Sequence, residues 1–165
     1  MIILGVDPGT VAMGFGLLEN RNDKATLIRY GVILTKPRSP IGERLSFLYK
    51  ELEEIINSSK PDVVAVEQPF MAKNFKSALA VGRAQAVAIL AAANKGIECF
   101  EYTPAQVKQR VANYGTSSKE QIQEMVRLQL GLAETPEPSD AADALAVALC
   151  HIAETRFREI LAKQR

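Results

Sequence analysis

Met1-Ile2-Ile3-Leu4-Gly5-Val6-Asp7-Pro8-Gly9-Thr10 is the stretch from which the rest of the chain is read. An uncharged apolar run that stops at a Pro-Gly turn reads as a strand buried on both faces. This run ends on a carboxylate, Asp7. A charge that closes a buried strand costs free energy unless something positive meets it. A second apolar run, Val63-Val64-Ala65-Val66, ends in the same way on Glu67. If the two strands lie side by side, Asp7 and Glu67 meet. Like charges at one place call for a cation. Oxygen ligands without a supporting Cys or His cluster suit Mg²⁺ or Mn²⁺.

Outward from the first strand, Met13 to Leu18 alternates weakly and reads as a second strand. Thr26 to Leu34 reads as a third, after the turn-like Asn20-Arg21-Asn22-Asp23. Short links between three successive strands predict an antiparallel meander. The period then changes. Ile41, Leu45, Leu48, Leu52, Ile55 and Ile56 mark an amphipathic helix over 41–57. After the Val63–Val66 strand comes a helix of small residues from Lys76 to Asn94, ended by Gly96, and then a strand from Ile97 to Tyr102. Thr103 as N-cap and Pro104 at the first helical position start another helix. Ser117 or Ser118 caps one from Lys119 to Leu130, and Ser139 caps a last one to about Ala162, after an extended Pro136-Glu137-Pro138 connector. Strands separated by helices pair in parallel. The predicted fold is therefore α/β. It has a mixed five-stranded sheet, with strands 1–3 antiparallel, strands 4 and 5 added in parallel, and helices on both faces. There is no internal repeat and no linker, so residues 1–165 read as a single domain.

Composition narrows the class. At 47% hydrophobic the chain is globular rather than disordered. No apolar run nears the roughly 20 residues that span a bilayer, so no membrane is expected. Met1 leads straight into a strand with no basic leader, which points to the cytoplasm. Cys99 and Cys150 lie far apart in apolar contexts and read as buried free thiols. A net charge of +1 decides nothing, but its distribution is uneven. Residues 70–96 carry Lys73, Lys76, Arg83 and Lys95 with no acid, and residues 134–143 carry Glu134, Glu137, Asp140 and Asp143 with no base. A basic flank beside an acidic pocket fits a site for phosphates and metal together. A solvated helix face accounts for the same charges without a partner.

Asp140 and Asp143 stand three apart and so share a helix face. Asp140 has an ordinary explanation as an acid in a helix's first turn. Asp143 has less of one, because Ala144-Leu145-Ala146-Val147 follows it in a helix apolar nearly all round. Asp7 could cap its own turn. Glu67 sits badly in a strand. Singly each is modest evidence; together they outline a metal site. Cys150 and His151 are adjacent on one helix and point about 100° apart, so they form no catalytic pair with each other. His151 reads as a plain helix residue. Phe70, Met71 and Phe75 flank Glu67 and read as a hydrophobic lid. With Lys73, Asn74 and Lys76 beside them, they read equally as a base-stacking and phosphate-binding loop.

Three segments carry a family resemblance: Ile3-Leu4-Gly5-Val6-Asp7-Pro8-Gly9, Val66-Glu67-Gln68-Pro69-Phe70-Met71-Ala72-Lys73-Asn74, and Asp140-Ala141-Ala142-Asp143-Ala144-Leu145-Ala146. Together they closely resemble the RuvC family of Holliday-junction resolvases, from residue 2 to about 152. The resemblance implies an RNase H-like fold, a homodimer and Mg²⁺-dependent cleavage of four-way DNA junctions in recombination and repair. It implies Asp7, Glu67, Asp140 and Asp143 as catalytic metal ligands for two Mg²⁺ ions, with Mn²⁺ as a substitute. It makes Phe70 the aromatic near the junction core, and Lys108 and Lys119 the lysines that face the DNA backbone. It points to the Ala78–Ala93 helix region as the dimer contact and to the RuvA and RuvB branch-migration proteins as partners. Two metals about 4 Å apart can hold the attacking water and the leaving oxygen of one in-line displacement, which would leave 5′-phosphate and 3′-hydroxyl ends. Two other readings compete. The Gly5–Thr10 segment also looks like the first phosphate motif of actin-like ATPases and sugar kinases, but no second Asp-x-Gly-Thr stretch follows. A non-hydrolytic junction-binding module would not need four intact carboxylates.

Overall fold

The computed structural model describes residues 1–69, 75–113 and 115–163. The strands are β1 (Ile2–Asp7), β2 (Ala12–Arg21), β3 (Lys24–Leu34), β4 (Val63–Glu67) and β5 (Glu98–Tyr102). The helices are α1 (Ile41–Ser59), α2 (Phe75–Ala93), α3 (Pro104–Ala112), α4 (Lys119–Leu130) and α5 (Ser139–Lys163). The order is the one that periodicity predicts. The sheet runs β3-β2-β1-β4-β5. β1 pairs antiparallel with β2 and parallel with β4, so the first strand is central.

Side-chain alternation splits the core into two layers. Leu4 and Val6 of β1 face α1 and α2, with Met13, Phe15, Val64 and Val66. Ile3 of β1, Ala65 of β4 and Tyr102 of β5 face α3, α4 and α5. Both faces of β1 are therefore covered, which is why its sequence is apolar without alternation.

Two boundaries differ from the sequence expectation. β2 and β3 run on through Asn20-Arg21 and Lys24, and only Asn22 and Asp23 turn, at φ 52° and 61°. Asn and Asp tolerate this left-handed region, so a two-residue hairpin suffices. Ser139 is the first residue of α5 rather than its cap. The Pro138 carbonyl accepts from Ala141 N at 2.9 Å and fills the capping role. The other caps lie where expected. Thr103 with Gln106, and Ser118 with Gln121, close reciprocal capping boxes on α3 and α4.

α2 corrects the expectation about apolar runs. By length and composition it is long and apolar enough to cross a bilayer. In the fold Ala84, Ala88 and Ala91 pack against the sheet, while Phe75, Leu79 and Leu90 stay exposed.

α5 lies unusually close to the sheet, and glycines permit it. A Cβ on Gly14 would stand 1.9 Å from the Asp140 carbonyl oxygen, and one on Gly5 2.1 Å from that of Ala144. On Gly16 it would stand 2.6 Å from Leu145 Cδ2. Gly14 pairs with Asp7 and Gly16 with Gly5, so the row is continuous across two strands. Glycine inside a strand often marks such a close backbone approach. Ala141, Ala144 and Ala148 complete the contact from the helix side, all fully buried.

Candidate active site

Asp7 and Glu67 close two adjacent parallel strands, each one residue past the Val6–Val66 pair. By alternation both point to the α5 face. The glycine row brings the N-terminus of α5 against the same strand ends, which carries Asp140 and Asp143 there. The structure thus gathers all four predicted carboxylates.

Their electrostatics record an unmet charge. The Asp7 carboxyl is pushed up to about 8, chiefly by burial, then by Glu67, Asp143 and Asp140, with Lys119 opposing. Glu67 is pushed up to about 7 by burial and then Asp143, while a hydrogen bond from Asp7 and the charges of Lys119 and Lys108 oppose the shift. Burial thus holds both carboxyls above the usual carboxylate range, with a hydrogen bond between them. Burial also raises Asp143, against a hydrogen bond from Lys119. Lys119 Nζ lies 2.7 Å from Asp143 Oδ2. Among the described residues, no three His, Cys, Asp or Glu side chains converge closely enough to hold one ion as they stand. Asp143 is instead engaged by Lys119. The donor set is all oxygen and its negative charge is compensated in part only, so it fits a hard divalent cation.

A cavity of about 260 Å³ opens beside these groups, lined by Glu67, Pro104, Val107, Lys108, Lys119, Ile122, Asp143 and Ala146. Pro104 and Lys119 are the first residues of α3 and α4. Two helix N-termini therefore line the cavity, and the N-terminal turns of α5 lie beside it. The partial positive charge of those termini suits an anion such as phosphate. Lys108 lines the cavity without closing an ion pair among the described residues.

The other predicted contacts lie elsewhere. Lys76 is exposed at the start of α2 and does not line the cavity. Phe70 and Lys73 lie outside the described residues. His151 is not a plain helix residue. It is 3% exposed, with Nδ1 2.8 Å from the Tyr102 hydroxyl and its ring beside Phe100. Burial and then Arg158 hold it below the usual histidine value. Cys150 is buried and Cys99 half-buried, both as free thiols. The Lys119–Asp143 pair was not foreseen, because it depends on how α4 packs on α5. The glycine row could have been foreseen from Gly14-Phe15-Gly16, a period of two that places both glycines on one strand face.

Comparison with known proteins gives the family. The profile of the family described as "Crossover junction endodeoxyribonuclease RuvC" matches residues 3–151. A protein of that description from Dehalococcoides mccartyi is 55% identical over 99% of this chain and 98% of its own length. The solved structure of Thermus thermophilus RuvC superposes with a TM-score of 0.88 at 37% identity, covering 95% of this chain and 96% of that one. The same protein in complex with a Holliday junction substrate gives a TM-score of 0.89. The mixed sheet with helices on both faces is accordingly RNase H-like, and the chain belongs to the RuvC family of crossover junction endodeoxyribonucleases.

Proposed function

We propose that the chain is a metal-dependent endodeoxyribonuclease that resolves four-way DNA junctions by paired nicks in recombination and repair. The observation that carries this reading is the Asp7–Glu67 pair. Two half-buried carboxyls are hydrogen-bonded at adjacent strand ends, facing two more carboxylates on α5. Such an arrangement is costly unless a cation meets it. Asp7, Glu67, Asp140 and Asp143 would hold two Mg²⁺ ions, with Mn²⁺ able to substitute. Bound there, the ions supply a water of lowered pKa and stabilise the leaving oxygen.

The chain's own residues do the rest. Asp7 sits on the central strand, facing Glu67 on one side and the α5 pair on the other. Lys108 and Lys119 neutralise the phosphate that enters the cavity, helped by the helix N-termini. In this two-metal reading water attacks, which leaves 5′-phosphate and 3′-hydroxyl ends. Lys76, with Phe70 and Lys73, would contact the junction DNA. All of residues 1–165 act as one domain. A four-way junction offers two equivalent strands, and a two-fold homodimer presents two equivalent sites. The exposed Phe75, Leu79 and Leu90 of α2 support a dimer contact there. By family likeness RuvA and RuvB are its branch-migration partners, and the cytoplasm is where it works.

The test is a mobile synthetic four-way junction incubated beside linear duplex and single strands, with and without Mg²⁺. Mg²⁺-dependent cutting of the junction alone is the expected result. Nucleotide binding without cutting would favour the kinase-like reading instead.

A further inference from the structure

We propose that Lys119 is an exchangeable counter-ion that couples metal loading to DNA grip, competing with a divalent cation for Asp143 and passing to a DNA phosphate when the cation wins. The inference rests on the metal-nuclease reading above and assigns one residue a switching role within it.

The pair is built to exchange from one side only. Lys119 Nζ lies 2.7 Å from Asp143 Oδ2, but the lysine side chain is 53% exposed and the aspartate 24%. The ammonium can leave into solvent at little cost, whereas the carboxylate stays. A pair this exposed is weak enough to be displaced. The backbone beneath the lysine is fixed. Ser118 and Gln121 close a capping box around the first turn of α4, and Ile122 and Val126 anchor that helix in the core. Only the side chain has freedom to move.

The charges set the direction of the exchange. Lys119 occupies the first position of α4, where the helix's partial positive charge disfavours a cation. What holds it there is Asp143, 2.7 Å away, with the charge of Asp140 behind it. A divalent ion on those carboxylates cancels the attraction and replaces it with repulsion. The ammonium then needs another anion, and the cavity it lines is open to a phosphate. Lys108 lines the same cavity but closes no such pair among the described residues. It contributes charge without the exchange. Coupling of this kind is reciprocal, so metal strengthens DNA binding by the factor that DNA strengthens metal binding.

The test uses the whole chain as wild type, Lys119→Met and Lys108→Met. Mn²⁺ affinity is measured calorimetrically without DNA, and junction affinity with Ca²⁺ or with EDTA. Without DNA, Lys119→Met should bind Mn²⁺ about fivefold tighter, the order an exposed ion pair contributes. Lys108→Met should change it less than about twofold, since no pair is lost. Ca²⁺ should tighten junction binding of wild type and of Lys108→Met by up to about fivefold more than that of Lys119→Met, the factor the exchanged pair contributes. Equal shifts in the two variants, or a full Ca²⁺ gain in Lys119→Met, overturns the inference while leaving the nuclease intact. A wild type that neither binds Mn²⁺ nor cuts junctions overturns both.

Discussion

Asp7 carries a cost that is measurable. Its carboxyl is raised from 3.8 to about 8 by burial and three neighbouring acids. Between those values the native state holds a proton that the unfolded chain has released. Stability from this group is complete below the ordinary carboxylate value and is lost as pH rises through about 8. In EDTA the melting temperature should therefore fall as pH rises from 6 to 9. Asp7→Asn should flatten that fall, and saturating Mg²⁺ should also flatten it by binding the native state. A melting temperature in EDTA that rises over this range would contradict the assignment. Asp7 and Glu67 were legible because each ends an apolar run, where a charge is costly unless something positive meets it. Lys119's hold on Asp143 and His151's burial against Tyr102 were not, because both depend on contacts between elements distant in sequence.

At the scale of elements, the glycine row on β1 and β2 sets how close α5 can come. Gly14→Ala would drive a Cβ into the Asp140 carbonyl. Neither partner is a flexible side-chain end, so α5 must shift. The expected cost is about 1–3 kcal/mol by denaturant titration, together with a loss of cleavage larger than the stability change explains. Gly42→Ala in α1 is the control. Nothing lies within 4 Å of its added Cβ, and a helical alanine there should stabilise by about 0.5–1 kcal/mol. A neutral Gly14→Ala would mean that α5 is not seated as described. The N-termini of α3 and α4 carry a second prediction. Replacing Lys108 and Lys119 together by Ala should lower the log–log salt slope of junction binding by roughly two. An unchanged slope would put both lysines off the DNA path. Helices and strands were readable from their periods. The β2–β3 turn and the start of α5 were misplaced because local geometry decided them: two left-handed residues in one case, the Pro138 carbonyl in the other.

For the whole molecule, the sheet order follows from connection length. Short links make the β1–β3 meander, and helical crossovers add β4 and β5 in parallel beside β1. That topology brings two strand ends and one helix start together, and it leaves one face of α2 exposed. Leu79 and Leu90 are 42% and 53% exposed on that face. Replacing both by Glu should give a folded monomer by light scattering that cuts one strand of a junction at a time. A double variant that remains dimeric would move the interface elsewhere. The central claim is narrower: the carboxylates at these strand ends cut DNA junctions through bound metal. Its most direct test compares wild type with Asp7→Asn on one synthetic four-way junction in Mg²⁺, scoring cutting and binding in the same samples. The account predicts paired symmetric nicks by wild type, with no cutting but near-normal binding by the variant. Cleavage by Asp7→Asn at the wild-type rate would contradict it.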